Sequence, residues 1–243
     1  MKESKKLQQQ DISGRTIGDI VAENYRCAAV FDKYGIDFCC GGQVTLSAAC
    51  REKGLDPAEI AREIEGSKSG PTLQSENYTA WELPFLADYI INIHHAYLNE
   101  NTGQIATYLH KIAGVHGANH PEVIEIAAIF DRIAADMADH LREEEDVLFP
   151  AIKRIHASTA AGKTPERNDR RAIEDSLRKL HGEHEMIGDA VHQIRHLAKD
   201  YAVPEDACNT FVVTWRKLRE FEHDLHKHVH LENNILFAKA AQL

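Results

Sequence analysis

Apolar side chains recur along this chain at the three- and four-residue spacing of amphipathic helices, and Gly- and Pro-rich breaks divide the pattern into a short first part and a long second one. Ile17, Ile20, Val21, Val30 and Phe31 lie on one stripe. They predict a helix capped by Thr16 that runs through Asn24 and past Tyr25 towards Tyr34. In Tyr34-Gly35-Ile36-Asp37-Phe38-Cys39-Cys40-Gly41-Gly42, three glycines bracket two thiols, and a helix cannot comfortably persist there. Another short helix is expected over Leu46 to Lys53. A third follows Asp56-Pro57, with Asp56 as the cap and Pro57 in the first helical position. The small helical domain spans 13–66. Residues 1–12 read as a disordered polar lead-in, and 67–80 as a linker that follows on Gly66-Ser67-Lys68-Ser69-Gly70-Pro71.

From Trp81 the pattern predicts four long helical segments with short breaks. The first runs from Pro84 to about Val115 and the second from Pro121 to about His156. The third follows Gly162-Lys163-Thr164-Pro165, and the fourth follows Val203-Pro204-Glu205. A proline at or near each start matches the preference for the first helical turn. Long segments with short connections describe an antiparallel up-down four-helix bundle over 81–243, so the fold class is all-α.

The length of 243 residues allows one good-sized domain and a small one. A net charge of −10 argues against nucleic acid held by phosphate contacts. No apolar run approaches the ~20 residues of a membrane span, and Met1-Lys2-Glu3-Ser4-Lys5-Lys6 leads into glutamines rather than a signal-peptide core. These features predict a cytoplasmic protein with no membrane partner. Five cysteines, two of them adjacent, have none of the spacing of a disulfide framework and read as reduced thiols. Cys27, Cys50 and Cys208 are expected to be buried helix residues, and Trp81 and Trp215 to be core. Fifteen histidines, concentrated from His94 onward, make metal the chemistry to test.

Two stretches carry that chemistry. His140-Leu141-Arg142-Glu143-Glu144 and His228-Val229-His230-Leu231-Glu232 each set a histidine and a glutamate four residues apart, on one helical face. Each is followed by a similar hexapeptide, Glu145-Asp146-Val147-Leu148-Phe149-Pro150 and Asn233-Asn234-Ile235-Leu236-Phe237-Ala238, so the two look like versions of one metal-bearing element. Imidazole beside carboxylate suits iron, manganese or zinc.

Antiparallel neighbours are level when equally far from their shared turn. With the first turn at about residue 118, His95 lies about 23 residues before it and His140 about 22 after. With the second near 162, His140 and His184 are each about 22 away. The third turn brings His228 level with His184 if it centres near 206 rather than 203. Four histidines therefore reach one layer, with Glu144 and Glu232 one turn along.

The same register puts His116 and His120 in a turn and the His192, His196 pair on the surface or rim. His94 and His95 point about 100° apart, so only one is expected to enter the core, and height prefers His95. His181 remains a candidate fifth ligand or outer partner. His223, His226 and His230 are expected to be outer partners or solvated. Four imidazoles and two carboxylates exceed the four ligands of a structural zinc. They suit two non-heme iron ions bridged by Glu144 and Glu232, with positions left for an oxo bridge, water or a diatomic ligand.

The bundle resembles a hemerythrin-like domain. Ile36-Asp37-Phe38-Cys39-Cys40-Gly41-Gly42, the two His-x-x-x-Glu motifs and Val229-His230-Leu231-Glu232-Asn233-Asn234 together resemble the iron–sulfur cluster repair di-iron proteins, over residues 13–240. The resemblance implies a protein of nitrosative or oxidative stress that restores damaged iron–sulfur clusters. Its metal ligands would be His95, His140, Glu144, His184, His228 and Glu232. Oxygen-carrying relatives typically offer a second histidine four residues on in the third helix, where Gly188 stands here. That departure implies more labile and more open iron, fit for donation or for binding nitric oxide rather than for storing oxygen reversibly.

Cys39 and Cys40 are the candidate thiols, which the glycine-rich turn could expose to an acceptor cluster, iron or nitric oxide, unless one packs as a small hydrophobe and the pair is structural. Other readings are a nitric oxide or oxygen scavenger or sensor, and a nitric oxide reductase. The partners implied are iron–sulfur proteins with damaged clusters, nitric oxide or oxygen. A homodimer through the small domain is expected on the ground that this domain buries little core by itself.

Overall fold

The computed structural model describes residues 12–68 and 77–243, and all its regular elements are helical. An isolated bridge joins the extended residues Thr16 and Thr45. The expected lead-in falls almost wholly outside the described residues, as does most of the expected linker. The chain divides into two compact units, Met1–Thr79 and Ala80–Leu243.

The first unit contains α1 (Ile17–Glu23), α2 (Ala28–Lys33), α3 (Leu46–Lys53) and α4 (Pro57–Ser67). Short side chains start three of them. Thr16 Oγ1 accepts from the Asp19 N–H at 3.2 Å, Thr45 Oγ1 from Ala48 at 3.3 Å and an Asp56 oxygen from Ala58 at 3.0 Å. Each cap contributes about 1 kcal/mol. The continuous helix expected from Thr16 towards Tyr34 is broken at Asn24. Its backbone is extended (φ −152°), and its side-chain oxygen accepts from the Arg26 N–H at 3.1 Å to open a 3₁₀ turn, Tyr25–Cys27. A side chain that bonds its own backbone competes with the helix, and the apolar stripe does not report that competition. Ile17, Ile20, Val21, Phe31, Phe38, Leu46, Ile60 and Ile64 are at most 2% exposed, so this unit closes a core of its own. The premise of a poorly filled module is not met.

The second unit has four long helices. α5 comprises Leu83–Tyr89, a π-helical stretch Ile90–His95 and Ala96–His116. α6 comprises Glu122–Glu143, a π stretch Glu144–Leu148 and Phe149–Ala160. α7 is Arg167–Leu197, and α8 comprises Asn209–Leu231, a π stretch Glu232–Leu236 and Phe237–Ala240. Each helix packs on its sequence neighbours, and α8 closes the ring against α5. Only α5 carries its proline within the first turn. Pro121 is the N-cap of α6, while Pro165 stands just before the N-cap of α7 and Pro204 lies within the loop that leads to α8.

The turns hold the helices in register. At Gly117 a Cβ would collide with the Ala113 carbonyl and lie 2.8 Å from Ile124 Cδ1, so the tight α5–α6 turn requires glycine. Before α8, the non-glycine residues Lys199, Asp200 and Tyr201 all have positive φ (49°, 54° and 60°). Such backbone is strained by about 1–2 kcal/mol per residue. It is tied down by Tyr201 Oη, which donates to the buried Glu222 at 2.8 Å, and by Trp215 Nε1, which donates to the Ala202 carbonyl at 3.2 Å.

Candidate metal centre

The π stretches determine where the polar core falls. In α6 the Phe149 N–H donates to the Glu144 carbonyl, and in α8 the Phe237 N–H donates to that of Glu232, five residues back instead of four. The Ala96 N–H does the same to Ile91 in α5. A wide turn of this kind re-aims side chains locally and is common at functional sites. In α6 and α8 it begins at the glutamate of the His-x-x-x-Glu motif.

His95, His140, Glu144, His184, His228 and Glu232 are each at most 1% exposed. His95 Nε2 and His228 Nε2 lie 3.2 Å apart, and His140 Nε2 and His184 Nε2 lie 3.0 Å apart. Glu144 Oε2 lies 3.3 Å from His95 Nε2 and 3.5 Å from His140 Nε2. The two oxygens of Glu232 divide, Oε1 standing 2.8 Å from His228 Nε2 and Oε2 3.3 Å from His184 Nε2. Two four-residue sets result, His95–Glu144–His228–Glu232 and His140–Glu144–His184–Glu232, each with its ligand atoms within 4.8 Å of one another, and both carboxylates belong to both sets.

This donor set fits metal on three grounds. Two ligands bound about 2.1 Å from one ion and about 90–100° apart are themselves about 3.0–3.2 Å apart, the spacing of the paired imidazole nitrogens. Both oxygens of Glu144 and Oε2 of Glu232 are buried without a hydrogen-bond partner, an expensive arrangement for a carboxylate unless a cation faces it. The rings also turn Nε2 inward while Nδ1 is held from outside in three cases. His95 Nδ1 lies 2.7 Å from Glu145 Oε1, His140 Nδ1 2.9 Å from Glu183 Oε2, and His184 Nδ1 2.9 Å from Asn233 Oδ1. An Nδ1–H donated outward leaves Nε2 as the free lone pair, the tautomer a metal ligand needs.

Electrostatics point the same way. Burial opposes charge on the His95 ring, yet the Glu144 and Glu232 carboxylates outweigh it and push its pKa up to about 10. His184, also buried, is raised to about 9 by Glu232 and Glu144. Burial drives His228 down to about 4. Burial, then the charge of Glu232, raises Glu144. Without metal the centre holds protons where cations would bind, so metal entry must displace them.

Several histidines lie elsewhere than the sequence suggested. His94 is 1% exposed, so both members of the His94–His95 pair enter the interior. The π stretch ending at His95 opens the turn that contains them both. His94 Nδ1 meets Asp224 Oδ1 at 3.0 Å, and its ring stacks on that of His228, 5.7 Å between centroids and 4° from parallel. His226 and His230 are buried too, His230 within a run of α8, His228–Asn233, that leaves no solvated face. His181 is exposed, its Nδ1 3.4 Å from Asn233, and it falls in neither ligand set. Trp215 is buried, whereas Trp81 is half-buried. The outer partners Glu145, Glu183 and Asn233 escaped sequence reasoning. Each adjoins a proposed ligand in the chain, but so do many solvated residues.

Cys39 and Cys40 occupy unlike positions. The Asp37 carboxylate accepts from the backbone N–H groups of Cys39, Cys40 and Gly41 at 2.9–3.0 Å and from the Cys39 thiol at 3.1 Å. Cys39 is buried and Cys40 half-buried, with the sulfurs 3.9 Å apart. The Cys40 thiol, then burial, raises the pKa of Cys39 well above the ordinary value. Asp37, Cys39 and Cys40 form a third group close enough to hold an ion, yet the backbone already saturates Asp37. Cys208 is exposed at the N-cap of α8, its sulfur 3.2 Å from His116 Nε2, instead of buried within a helix.

Comparison with known proteins follows the same division of the chain. Residues 13–68 match the ScdA_N model, described as a domain of unknown function, and residues 86–240 match the hemerythrin HHE cation binding domain. The iron-sulfur cluster repair protein ScdA of Staphylococcus haemolyticus is 30% identical over 92% of this chain and 96% of its own length. A probable iron-sulfur cluster repair protein of Haemophilus influenzae is 31% identical over 86% of this chain and 89% of its own. The iron-sulfur cluster repair protein YtfE of Yersinia pestis is 28% identical over 95% and 98%.

Proposed function

Because the chain belongs to the family of the iron–sulfur cluster repair proteins and carries their hemerythrin HHE cation binding domain, we propose that it restores damaged iron–sulfur clusters by donating iron from a two-ion store in its bundle. The observation that carries this reading is the pair of buried ligand sets sharing Glu144 and Glu232. Two ions held this way have two imidazoles each and the carboxylates in common, His95 with His228 for one and His140 with His184 for the other.

Iron is the cargo in this reading. The protein's residues do three things to it. The glutamates bring negative charge to both ions, the His95 and His184 imidazoles, with pKa values of about 10 and about 9, take up protons as an ion leaves, and the bundle keeps all six ligands buried. A store made of six side chains and no more leaves each ion short of a full ligand shell, which favours release over permanent retention. Cys40, the half-buried thiol, is the arm available to an acceptor, while Cys39 with Asp37 holds the turn. The protein works in this reading in the cytoplasm, under nitrosative or oxidative stress, where cluster enzymes lose iron.

Iron per chain, measured before and after reduction with dithionite in the presence of a chelator, tests the store. About two irons are expected, part of which pass to the chelator on reduction. An apo-cluster enzyme should regain activity only with the iron-loaded protein. Glu144→Ala and Glu232→Ala should each lower the iron content, and unchanged content in both would remove the bridging assignment.

A further inference from the structure

The six-residue centre has an approximate twofold relation that the sequence echo only hints at. Glu144 corresponds to Glu232, and the residue after each holds a histidine on another helix, Glu145 holding His95 and Asn233 holding His184. Phe149 stacks on His95 at 5.8 Å, and Phe237 on His184 at 5.6 Å. The relation extends to the residues that precede His184 and His95. Glu183 precedes His184 and backs His140 Nδ1 at 2.9 Å. The residue before His95, in the corresponding place, is His94.

There the twofold breaks. His94 gives its Nδ1 to Asp224 and only stacks on His228. His228 Nδ1 is left buried without a hydrogen-bond partner, and so is His94 Nε2. One ligand pair therefore has both rings held from behind, His140 by a carboxylate and His184 by an amide. The other has one ring held, His95 by Glu145, and one held by stacking alone. Outer partners fix the ring and raise its basicity, and losing one weakens metal affinity by roughly 10–100-fold.

We infer that the centre is graded by its outer partners, so that the ion between His95 and His228 leaves first and the ion between His140 and His184 is the retained one, with His94 as the positioning residue that sets the difference. This rests on the proposed two-ion store and assigns its released ion. A store that gives up one ion while the second still ties α6, α7 and α8 together through His140, Glu144, His184 and Glu232 can donate iron without losing its shape. The same asymmetry predicts the loading order: the His140–His184 set fills first.

The test is release from the fully loaded full-length protein to excess chelator after reduction, followed by stopped-flow absorbance. Two phases of equal amplitude are expected, with rates about 10–100-fold apart. His94→Glu, combined with Asp224→Asn so that no second carboxylate faces the new one, places a carboxylate behind His228 and should slow the fast phase towards the slow one. Glu183→Gln should quicken the slow phase and leave the fast one unchanged, which a general loosening of the bundle would not do. Cobalt(II) loading, read by visible absorption, repeats the comparison apart from any role in repair. A single phase for both metals, or a fast phase indifferent to the His94 substitution while Glu183→Gln alters both phases alike, overturns the inference. Graded release with no transfer to an apo-cluster enzyme would leave the inference standing and sink the repair reading.

Discussion

At the scale of single residues, the five cysteines fall into unlike environments. Cys208 is exposed, and the His116 ring beside it, then the Phe211 backbone N–H at the start of α8, bring its pKa down to about 7. Burial raises Cys27 and Cys50, and Cys39 is raised by Cys40 and by burial. The thiolate is the reactive form. Cys208 should therefore be the first site alkylated by iodoacetamide at neutral pH. Its rate should climb as pH rises through about 7, because deprotonation produces the nucleophile, and level off above. His116→Phe should move that rise upward and slow labelling at pH 7 several-fold. Cys40 should follow, with Cys27, Cys39 and Cys50 labelled only on unfolding. Peptide mass spectrometry against time gives the order, and Cys39 reacting as fast as Cys208 would contradict the environments described.

At the scale of elements, the π stretches matter more than helix length. Three of the four long helices carry one, and each begins or ends at a residue of the polar core. Asp146 is the exposed middle residue of the π stretch in α6. Deleting it removes one residue from the wide turn without removing a core side chain. The expected result is a folded chain with near-unchanged helical circular dichroism, a modest loss of stability and less than half the normal metal content, since Glu144 and Glu145 are re-aimed. Full metal content in that variant would show that the wide turn is not what orients the glutamates. Nothing in the local sequence announces these turns. Their residues have ordinary helical preferences, and the extra width is visible only in which carbonyl the Phe149 and Phe237 amides reach.

At the scale of the molecule, two units with separate cores share one chain. All six buried ligand candidates and their outer partners Glu145, Glu183 and Asn233 belong to the second unit, so residues 80–243 alone should fold and bind as much iron per chain as the whole protein. Cluster repair should fall in that shortened chain if the first unit, with Cys40, delivers iron to the acceptor. Equal repair by both would assign the delivery to the bundle itself. Among the described residues no helix is long and apolar enough to cross a membrane.

The sequence by itself determined the helical class, the four long segments and the common height of His95, His140 and His184, while the height of His228 hung on where the last turn is centred. Those follow from period and rise along a helix, which are local and additive. It located Thr16 and Asp56 where caps belong, because a cap acts within three residues of itself. Only the tertiary structure decided which neighbours of the ligands matter. Whether Glu183 backs a ring while His94 merely stacks, whether His230 is dry, and whether Cys208 meets His116 across a gap of 92 residues in sequence depend on which helix lies opposite. A residue's own segment shows its face, and the chemistry of that face is completed by side chains brought there from elsewhere in the chain.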